Sequence, residues 1–349
     1  MAQPLLGKLR ARLGAQGPGG RIDVLAPPWV APVVKRMAEV DEVIQVDLNH
    51  GRLQLAERWR LGRRLKARGY DEAIVLPNTW KSALTPFFAA IPVRSGYRGE
   101  ARYGLLNKTY RNGSDASMAA HYARLSGSAD PLSQPKLTIA REDIEATQTK
   151  FAVSGRYVVL CPGAEYGPAK RWPHFKALAE RLEEPVLLLG SAREREQCVW
   201  IPGRNLAGET TLDEAIDLIS GAAYVVTNDS GLMHVAAALG TPQVALFGSS
   251  SPERTPPLSP RARVLWLKPE CSPCFERVCP LGHFKCLNEL SVERVLAEIV
   301  AYGFQTRDED RLSSDDEFRE FVGKSKVQED IPPNGQYPHV GSAQPFRNV

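Results

Sequence analysis

The strongest indication of the fold is the segment Val225–His234, which reads VVTNDSGLMH. It joins an apolar, β-branched run, Tyr224–Thr227, to a helical pattern over Leu232–Leu239 through the short polar turn NDSG. A strand that passes through such a turn directly into a helix is the repeating unit of parallel sheets covered by helices. The same unit is therefore expected on either side of this one.

The unit recurs along most of the chain, which predicts the α/β class with parallel sheets buried on both faces. The predicted strands are Arg21–Leu25, Glu42–Val46, Asp71–Leu76, Tyr157–Cys161, Val186–Leu189, Tyr224–Thr227, Gln243–Phe247 and Val264–Leu267. The predicted helices lie near Arg52–Arg68, His174–Leu182, Arg193–Val199, Leu212–Ser220 and Leu232–Leu239. A further helix opens the chain, with Leu5, Leu6, Leu9 and Leu13 on one face.

The length of 349 residues favours two domains. The alternation of strands and helices is interrupted over Ser126–Gly155, which contains SGSADPLSQPK and REDIEATQTK. We interpret this segment as the connection between the domains. We therefore predict one α/β domain over residues 1–150 and a second over 151–303. Residues 304–349 are polar and rich in Pro and Gly, a composition that predicts a disordered tail.

Composition excludes several classes of protein. A hydrophobic content of 43% with 24% charged residues indicates folded cores rather than wholesale disorder. No apolar run approaches the roughly 18 residues that span a bilayer, and no secretory signal is recognised. Six cysteines without such a signal favour a reducing, cytoplasmic compartment. The net charge of +4 suits an anionic small molecule or a membrane surface better than a nucleic acid.

The turn after Tyr224–Thr227 is the strongest candidate site. Asp229 or Ser230 can cap the following helix, and Gly231 permits close approach of a ligand to the backbone. The amides of the first helical turn would then face an anion at the end of the strand. The alternative is an ordinary capped helix with a core histidine. The candidate residues are Asp229, Ser230, Gly231, Leu232, Met233 and His234.

A second candidate is the loop within Leu160–Pro173, LCPGAEYGPAKRWP, which also follows a strand. Gly163 and Gly167 make the loop flexible, and Lys170 is placed to neutralise a phosphate. The alternative is a solvated basic loop. Two such loops at strand ends of one domain predict a diphosphate site. Neither G-x-G-x-x-G nor G-x-x-x-x-G-K-[ST] occurs, which counts against a classical dinucleotide fold and a P-loop NTPase.

Two further segments offer polar candidates. Gly190–Glu196 follows a strand, and Glu194 could accept hydrogen bonds from ribose hydroxyls; the alternative is a charged start of a surface helix. In the first half, PNTWK and PVRSGYRGEARYGLLN supply cations that suit carboxylate or phosphate. Their alternative is a solvated basic turn. The candidates for this anion dock are Lys81, Arg94, Arg98 and Arg102.

Four cysteines lie within CSPCFERVCPLGHFKC, at Cys271, Cys274, Cys279 and Cys286. The spacing could ligate zinc or an iron–sulfur cluster, but it lacks the two separated pairs of the usual zinc sites. We therefore predict no metal site and leave the metal as the alternative.

Taken together, the motifs resemble the lipopolysaccharide heptosyltransferases of glycosyltransferase family 9. The resemblance runs from Met1 to about Ile299 and includes VLPNTWKSALTPFFAAIP, CPGAEYGPAKRWP, AGETTLDEAIDLI and TNDSGLMHVAAALGTPQVALFGSSSP. It implies a GT-B fold, with two Rossmann-like domains. It also implies a metal-independent, inverting transfer of heptose from ADP-heptose to the first heptose of the Kdo–lipid A core. Such an enzyme would be cytoplasmic and in peripheral contact with the inner membrane, with no nucleic-acid partner and no cofactor.

The resemblance also implies residue roles. Lys170 corresponds to the lysine that contacts the donor diphosphate, Glu194 to a ribose-binding glutamate, and Thr210 lies near the adenine-contact position. The NDSG turn and His234 correspond to the turn at the sugar and phosphates. Lys81, Arg94, Arg98 and Arg102 would bind the acceptor.

One feature of the family is not found. The resemblance implies a strand and a glycine-rich turn with an aspartate, the general base, just before the helix that starts at Met1. We expect that this strand lies upstream of Met1, and we assign no base. Two alternatives remain open: another GT-B nucleotide-sugar enzyme, such as a different glycosyltransferase or an epimerase, and a non-catalytic nucleotide-sugar-binding protein.

Overall fold

The computed structural model describes residues 1–17, 19–48, 51–113 and 117–301. The predicted tail, 304–349, lies outside the described residues. Every strand pairing in the described part is parallel, which confirms the predicted α/β class. Within the described residues, no helix has the length and apolar character needed to cross a membrane.

The eight predicted strands form close to their predicted positions, and β4, β5 and β8 are additional. In chain order they are β1 Asp23–Ala26, β2 Glu42–Gln45, β3 Glu72–Val75, β4 Val93–Tyr97, β5 Lys108–Tyr110, β6 Val158–Cys161, β7 Val186–Leu188, β8 Arg204–Asn205, β9 Val225–Asn228, β10 Gln243–Phe247 and β11 Ala262–Trp266.

The helices lie before, between and after these strands. They are α1 Gln3–Ala15, α2 Ala31–Lys35, α3 Leu55–Lys66, α4 Leu84–Phe88, α5 Met118–Ala123, α6 Arg141–Lys150, α7 Phe175–Ala179, α8 Arg195–Cys198, α9 Leu212–Gly221, α10 Gly231–Leu239, α11 Lys285–Asn288 and α12 Val292–Ala301. Short 3₁₀ turns lie at Trp80–Ala83, Arg124–Ser126, Pro168–Lys170 and Ala192–Glu194.

Contacts divide the described residues into two compact units that differ from the predicted domains. One unit combines residues 1–47 with 117–301, and the other is residues 48–113. Contacts between the first and last parts of the larger unit explain the grouping. Gln3 Nε2 donates to the Lys136 carbonyl at 2.6 Å, and Arg36 in α2 pairs with Asp217 in α9 at 2.9 Å.

The larger unit contains a six-stranded sheet in the order β11-β10-β9-β6-β7-β8 and a separate pair, β1-β2. Successive residues of β6 show why the sheet is buried on both faces. Val158 and Leu160 belong to one hydrophobic cluster, whereas Val159 and Cys161 belong to the cluster on the other face. The order reverses between β6 and β9, and their carboxyl ends are the place where such sheets bind ligands.

The predicted connection over Ser126–Gly155 contains a helix that its polar sequence did not reveal. This helix, α6, is anchored on α9 by a buried hydrogen bond from Thr147 Oγ1 to Asp217 Oδ2 at 2.8 Å. Arg36 binds the other oxygen of the same carboxylate. One buried acid therefore ties α2, α6 and α9 together.

The smaller unit contains the parallel sheet β3-β4-β5 with α3 and α4. Strand β4 was missed because VRSGY interrupts its apolar residues with Arg, Ser and Gly. Its second half, Ser95–Tyr97, is nevertheless buried: Tyr97 is fully buried, and Ser95 Oγ donates to Glu72 Oε1 at 3.1 Å.

Candidate functional site

The two loops predicted to form a diphosphate site follow the adjacent strands β6 and β9, and Asn228 joins them. Its Nδ2 donates to the Pro162 carbonyl at 2.7 Å, and its Oδ1 accepts from the Trp172 amide at 3.1 Å. Asn228 is fully buried. One side chain therefore fixes both ends of the loop that carries Lys170.

Lys170 and Asp229 form the ionic centre of this edge of the sheet. Lys170 Nζ lies 2.5 Å from Asp229 Oδ2, with side-chain exposures of 15% and 4%. The other oxygen, Oδ1, lies 3.4 Å from the hydroxyl of Thr255, and the Asp229 amide donates to the Leu246 carbonyl at 3.1 Å. The carboxylate thus holds Lys170 in place. Of the two residues predicted to cap α10, Ser230 occupies the N-cap position.

The first turn of α10 presents amide groups rather than side chains. Ser230 makes no capping hydrogen bond with its side chain, so the first amides of the helix are left for an external acceptor. A Cβ on Gly231 would meet no atom within 4 Å, so open space lies in front of it. Met233 is fully buried against Ala245 and Phe247, and it can therefore reach a ligand only through its backbone.

His234 lies one turn into α10 and borders a cavity of about 140 Å³ with mainly apolar walls, among them Val33 and Leu137. Burial lowers the pKa of His234 to about 4, and the positive charge of Lys170 acts in the same direction. The carboxylate of Asp229 opposes the shift but does not cancel it. The imidazole is therefore neutral at physiological pH.

The segment that contains the four cysteines supports the Lys170 loop. Gly167 has φ +148°, and a Cβ there would lie 2.4 Å from the Arg277 carbonyl oxygen. The same carbonyl accepts from the Ala169 amide at 3.0 Å. Tyr166 donates its hydroxyl to the Phe275 carbonyl, and Lys170 Nζ lies 4.8 Å from the centre of the Tyr166 ring.

The cysteines themselves are free thiols. Among the described residues, no group of three or more His, Cys, Asp and Glu side chains is arranged to hold a metal ion. Burial raises the pKa of Cys286 to about 11, with smaller contributions from Cys274, Cys271 and Cys279. The protonated form of that thiol therefore predominates at neutral pH.

Glu194 lies beside the Lys170 loop, as the nucleotide prediction requires. Its Oε2 accepts from the amide and the hydroxyl of Ser191 at 2.7 and 3.0 Å. Its Oε1 would lie 2.0 Å from a Cβ on Gly163. In the described structure Oε1 accepts no hydrogen bond, which leaves it available to hydroxyl groups of a ligand.

Thr210 is half-buried and follows β8 on the segment that leads to the capping residue Thr211 of α9. This segment passes close to Glu194, because a Cβ on Gly208 would lie 2.6 Å from Ala192 Cα. The structure gives Thr210 no side-chain contact with Lys170 or Asp229.

Two of the four cations predicted to bind an acceptor are used inside the smaller unit. Arg102 is 3% exposed and donates to the carbonyls of Pro77 and Tyr97 and to Asn78 Oδ1. Arg94 donates to the carbonyls of Leu105 at 2.7 Å and Ile91 at 2.6 Å. Both guanidinium groups therefore bind backbone carbonyls around β4, and the proposed acceptor site does not include them.

The other two cations remain accessible. Arg98 is exposed, and its Nε donates to Thr109 Oγ1 at 3.3 Å. Lys81 is half-exposed and lies 3.5 Å from the Arg52 carbonyl. Neither side chain forms an ion pair within the described residues.

Sequence reasoning missed Thr255 and the supporting role of Arg277. Thr255 lies in SPERT, after β10, and only the folded chain brings it to Asp229. Arg277 contributes its carbonyl group, which no sequence pattern marks. Tyr166 lies in the same loop as Lys170. An aromatic residue close in sequence to a predicted cation could have indicated their contact.

Comparison with known proteins agrees with the resemblance found in the sequence. Lipopolysaccharide heptosyltransferase 2 of Escherichia coli K12 is 43% identical over a 332-residue alignment that covers 86% of this chain and 94% of the relative. Lipooligosaccharide heptosyltransferase 2 of Haemophilus influenzae is 44% identical over 294 residues, covering 74% of this chain and 83% of the relative.

A solved structure and a family model extend this agreement. The structure of E. coli ADP-heptose lps heptosyltransferase II is similar with a TM-score of 0.74 and 41% identity, covering 87% of this chain and 94% of that one. This similarity confirms the predicted GT-B fold class. Residues 58–285 match the family model described as glycosyltransferase family 9 (heptosyltransferase). The chain therefore belongs to glycosyltransferase family 9, the heptosyltransferases.

Proposed function

We propose that this protein transfers L-glycero-D-manno-heptose from ADP-heptose to the first heptose of the Kdo–lipid A core, with inversion at the anomeric carbon. Membership of family 9 and the names of the relatives support the substrate class. The observation that carries the proposal is the placement of Lys170, 2.5 Å from Asp229, at the strand edge where the first amides of α10 are left without a capping side chain.

This arrangement suits departure of a nucleoside diphosphate. Inversion requires the acceptor hydroxyl to attack from the face opposite the leaving group. Negative charge then develops on the diphosphate, and preorganised positive groups stabilise that charge most strongly in the transition state. Lys170 supplies a full charge, and the amino end of α10 supplies oriented N–H groups. Because these groups meet the developing charge, we propose that the transfer requires no metal ion or other cofactor.

The remaining contacts follow from the same geometry. Oε1 of Glu194 would accept from ribose hydroxyls, and Thr210 would contact the base. The neutral imidazole of His234 would hydrogen-bond to the donor. In the smaller unit, Arg98 and Lys81 would bind anionic groups of the lipid acceptor. The enzyme would act at the cytoplasmic face of the inner membrane through peripheral contact.

The test is transfer by the purified protein. Incubation with ADP-heptose and a core acceptor that ends in one heptose should release ADP and add one heptose to the acceptor mass. Replacing ADP-heptose with UDP-sugars should abolish both signals, and EDTA should leave them unchanged. Turnover with a UDP-sugar would favour the alternative nucleotide-sugar enzyme. Binding of ADP-heptose without turnover would favour the non-catalytic alternative.

A further inference from the structure

Helix α3, Leu55–Lys66, has one buried face and one outward face that the proposed transfer does not use. The buried face belongs to Leu61, Gly62 and Leu65, which pack on α4. The approach is close, because a Cβ on Gly62 would lie 2.5 Å from Phe88 Cβ. The orientation of the helix within the smaller unit is therefore fixed.

The outward face exposes two large apolar side chains. Leu55, Trp59 and Arg63 follow one another at intervals of four residues, so they form a stripe along the helix, and Lys66 lies beside it. Trp59 is 53% exposed and Leu55 is 50% exposed. An exposed Trp and Leu on one helical face have the composition of an interfacial anchor.

The charges around this stripe are almost all positive. From Arg52 to Arg68 the chain carries seven basic residues and one acidic residue, Glu57; of the seven, Arg58 is buried and donates to the Leu53 carbonyl. Glu57 lies 4.0 Å from Arg60, on the side away from Lys66. Within the described structure, the exposed cations of Arg63, Arg64 and Lys66 have no ion-pair partner.

We propose that this face of α3 docks on a lipid bilayer that contains anionic phospholipid. Trp59 and Leu55 would enter the boundary between headgroups and acyl chains, while Arg63 and Lys66 extend to the phosphates. Charge complementarity selects an anionic membrane, since juxtamembrane basic residues are attracted to such surfaces. The inference specifies the peripheral membrane contact of the proposed function, but it rests on the surface of α3 alone.

Vesicle co-sedimentation tests the proposal with the full chain. We expect binding to vesicles of phosphatidylethanolamine and phosphatidylglycerol, and no binding to phosphatidylcholine vesicles. Trp59→Ala and the double variant Arg63→Glu/Lys66→Glu should each lower the partition coefficient about tenfold or more. The matched controls are Trp200→Ala, which removes a Trp that is 77% exposed, and Lys285→Glu/Arg294→Glu; both should bind as the unmodified protein does.

Several outcomes would overturn the proposal. They are absence of binding by the unmodified protein, equal binding to both kinds of vesicle, and equal losses in the α3 variants and the controls. Retention of a nucleic-acid oligomer at physiological salt, with no vesicle binding, would assign the face to nucleic acid instead. Heptose transfer to a delipidated acceptor should be unchanged in the α3 variants, so failure of this proposal is separable from failure of the transferase function.

Discussion

Lys170 and Asp229 are 59 residues apart in sequence, yet their side chains meet at 2.5 Å between the ends of two adjacent strands. Lys170 is in the loop after β6, and Asp229 is in the turn after β9. The pair therefore couples the two loops that were singled out separately in the sequence. It also holds a cation at the edge of the sheet where α10 begins.

Replacing Lys170 by Met should remove the cation while keeping the length of the side chain. We expect kcat/KM for ADP-heptose to fall about 10²- to 10³-fold, the usual effect of losing one group that stabilises developing negative charge. Steady-state kinetics and calorimetric titration with ADP would measure the loss. Lys176→Met is the control, because Lys176 is exposed on α7 and lies 3.9 Å from Glu180, far from the proposed diphosphate site in the described fold. Equal activity of the two variants would remove Lys170 from the mechanism.

Thr255→Val should reveal whether Asp229 acts through Lys170. The variant keeps the shape of the side chain and removes the hydroxyl that lies 3.4 Å from Asp229 Oδ1. Because this contact is long, we expect only about a fivefold loss of kcat/KM, equivalent to about 1 kcal/mol. In the Lys170→Met background the same change should have little further effect. Full additivity of the two losses would contradict a positioning role for Thr255.

Gly167→Ala should disturb the Lys170 loop through the backbone. The residue has φ +148°, and the new Cβ would meet the Arg277 carbonyl oxygen at 2.4 Å. We expect a loss of about 1–3 kcal/mol in the free energy of unfolding and weaker ADP binding. Gly14→Ala, within α1 and with no atom within 4 Å, should leave both unchanged or slightly raise stability. Unaltered melting of Gly167→Ala would show that the loop accommodates the Cβ.

Arg102→Ala should lower the stability of the protein, whereas Arg98→Ala should weaken binding of the acceptor. Loss of the buried Arg102 leaves the carbonyls of Pro77 and Tyr97 without their donor, so we expect a loss of about 2–4 kcal/mol in the free energy of unfolding. Loss of the exposed Arg98 should leave stability unchanged and raise KM for the lipid acceptor. Denaturant unfolding and acceptor titration would separate the two, and a stable Arg102→Ala variant with raised acceptor KM would reverse our assignment.

The buried His234 should make stability depend on pH in the acid range. Its folded-state pKa of about 4 is below the unfolded value of about 6.5, so folding favours the neutral imidazole. Stability is therefore complete above about pH 6.5 and falls as the pH decreases towards 4, by at most about 3 kcal/mol. His234→Gln should flatten this part of the profile. Because carboxylates titrate in the same range, the test is the difference between the two unfolding curves from pH 4 to 7; a zero difference would contradict the shift.

The pattern of amino acids is sufficient to predict most of the local elements and the polar residues of the turns. Strands β6, β9 and β10 are mostly apolar and show no alternation of polar and apolar residues, because a strand buried on both faces has no polar side. Each leads into a turn that contains glycine. The parallel arrangement then places the 162–170 loop and the NDSG turn at the same edge of a sheet. The sequence therefore predicts that Lys170, Glu194 and Gly231 lie near the same edge of the sheet.

The partners of the charged side chains, in contrast, become apparent only in the folded chain. The sequence offered Asp229 as a helix cap, but in the fold it binds Lys170 and approaches Thr255, which come from other loops. The sequence offered Arg94 and Arg102 as anion ligands, but the fold surrounds them with backbone carbonyls. The physical reason is that periodicity reports local burial, whereas the partner of a polar group at a turn depends on distant residues that come near it only after folding.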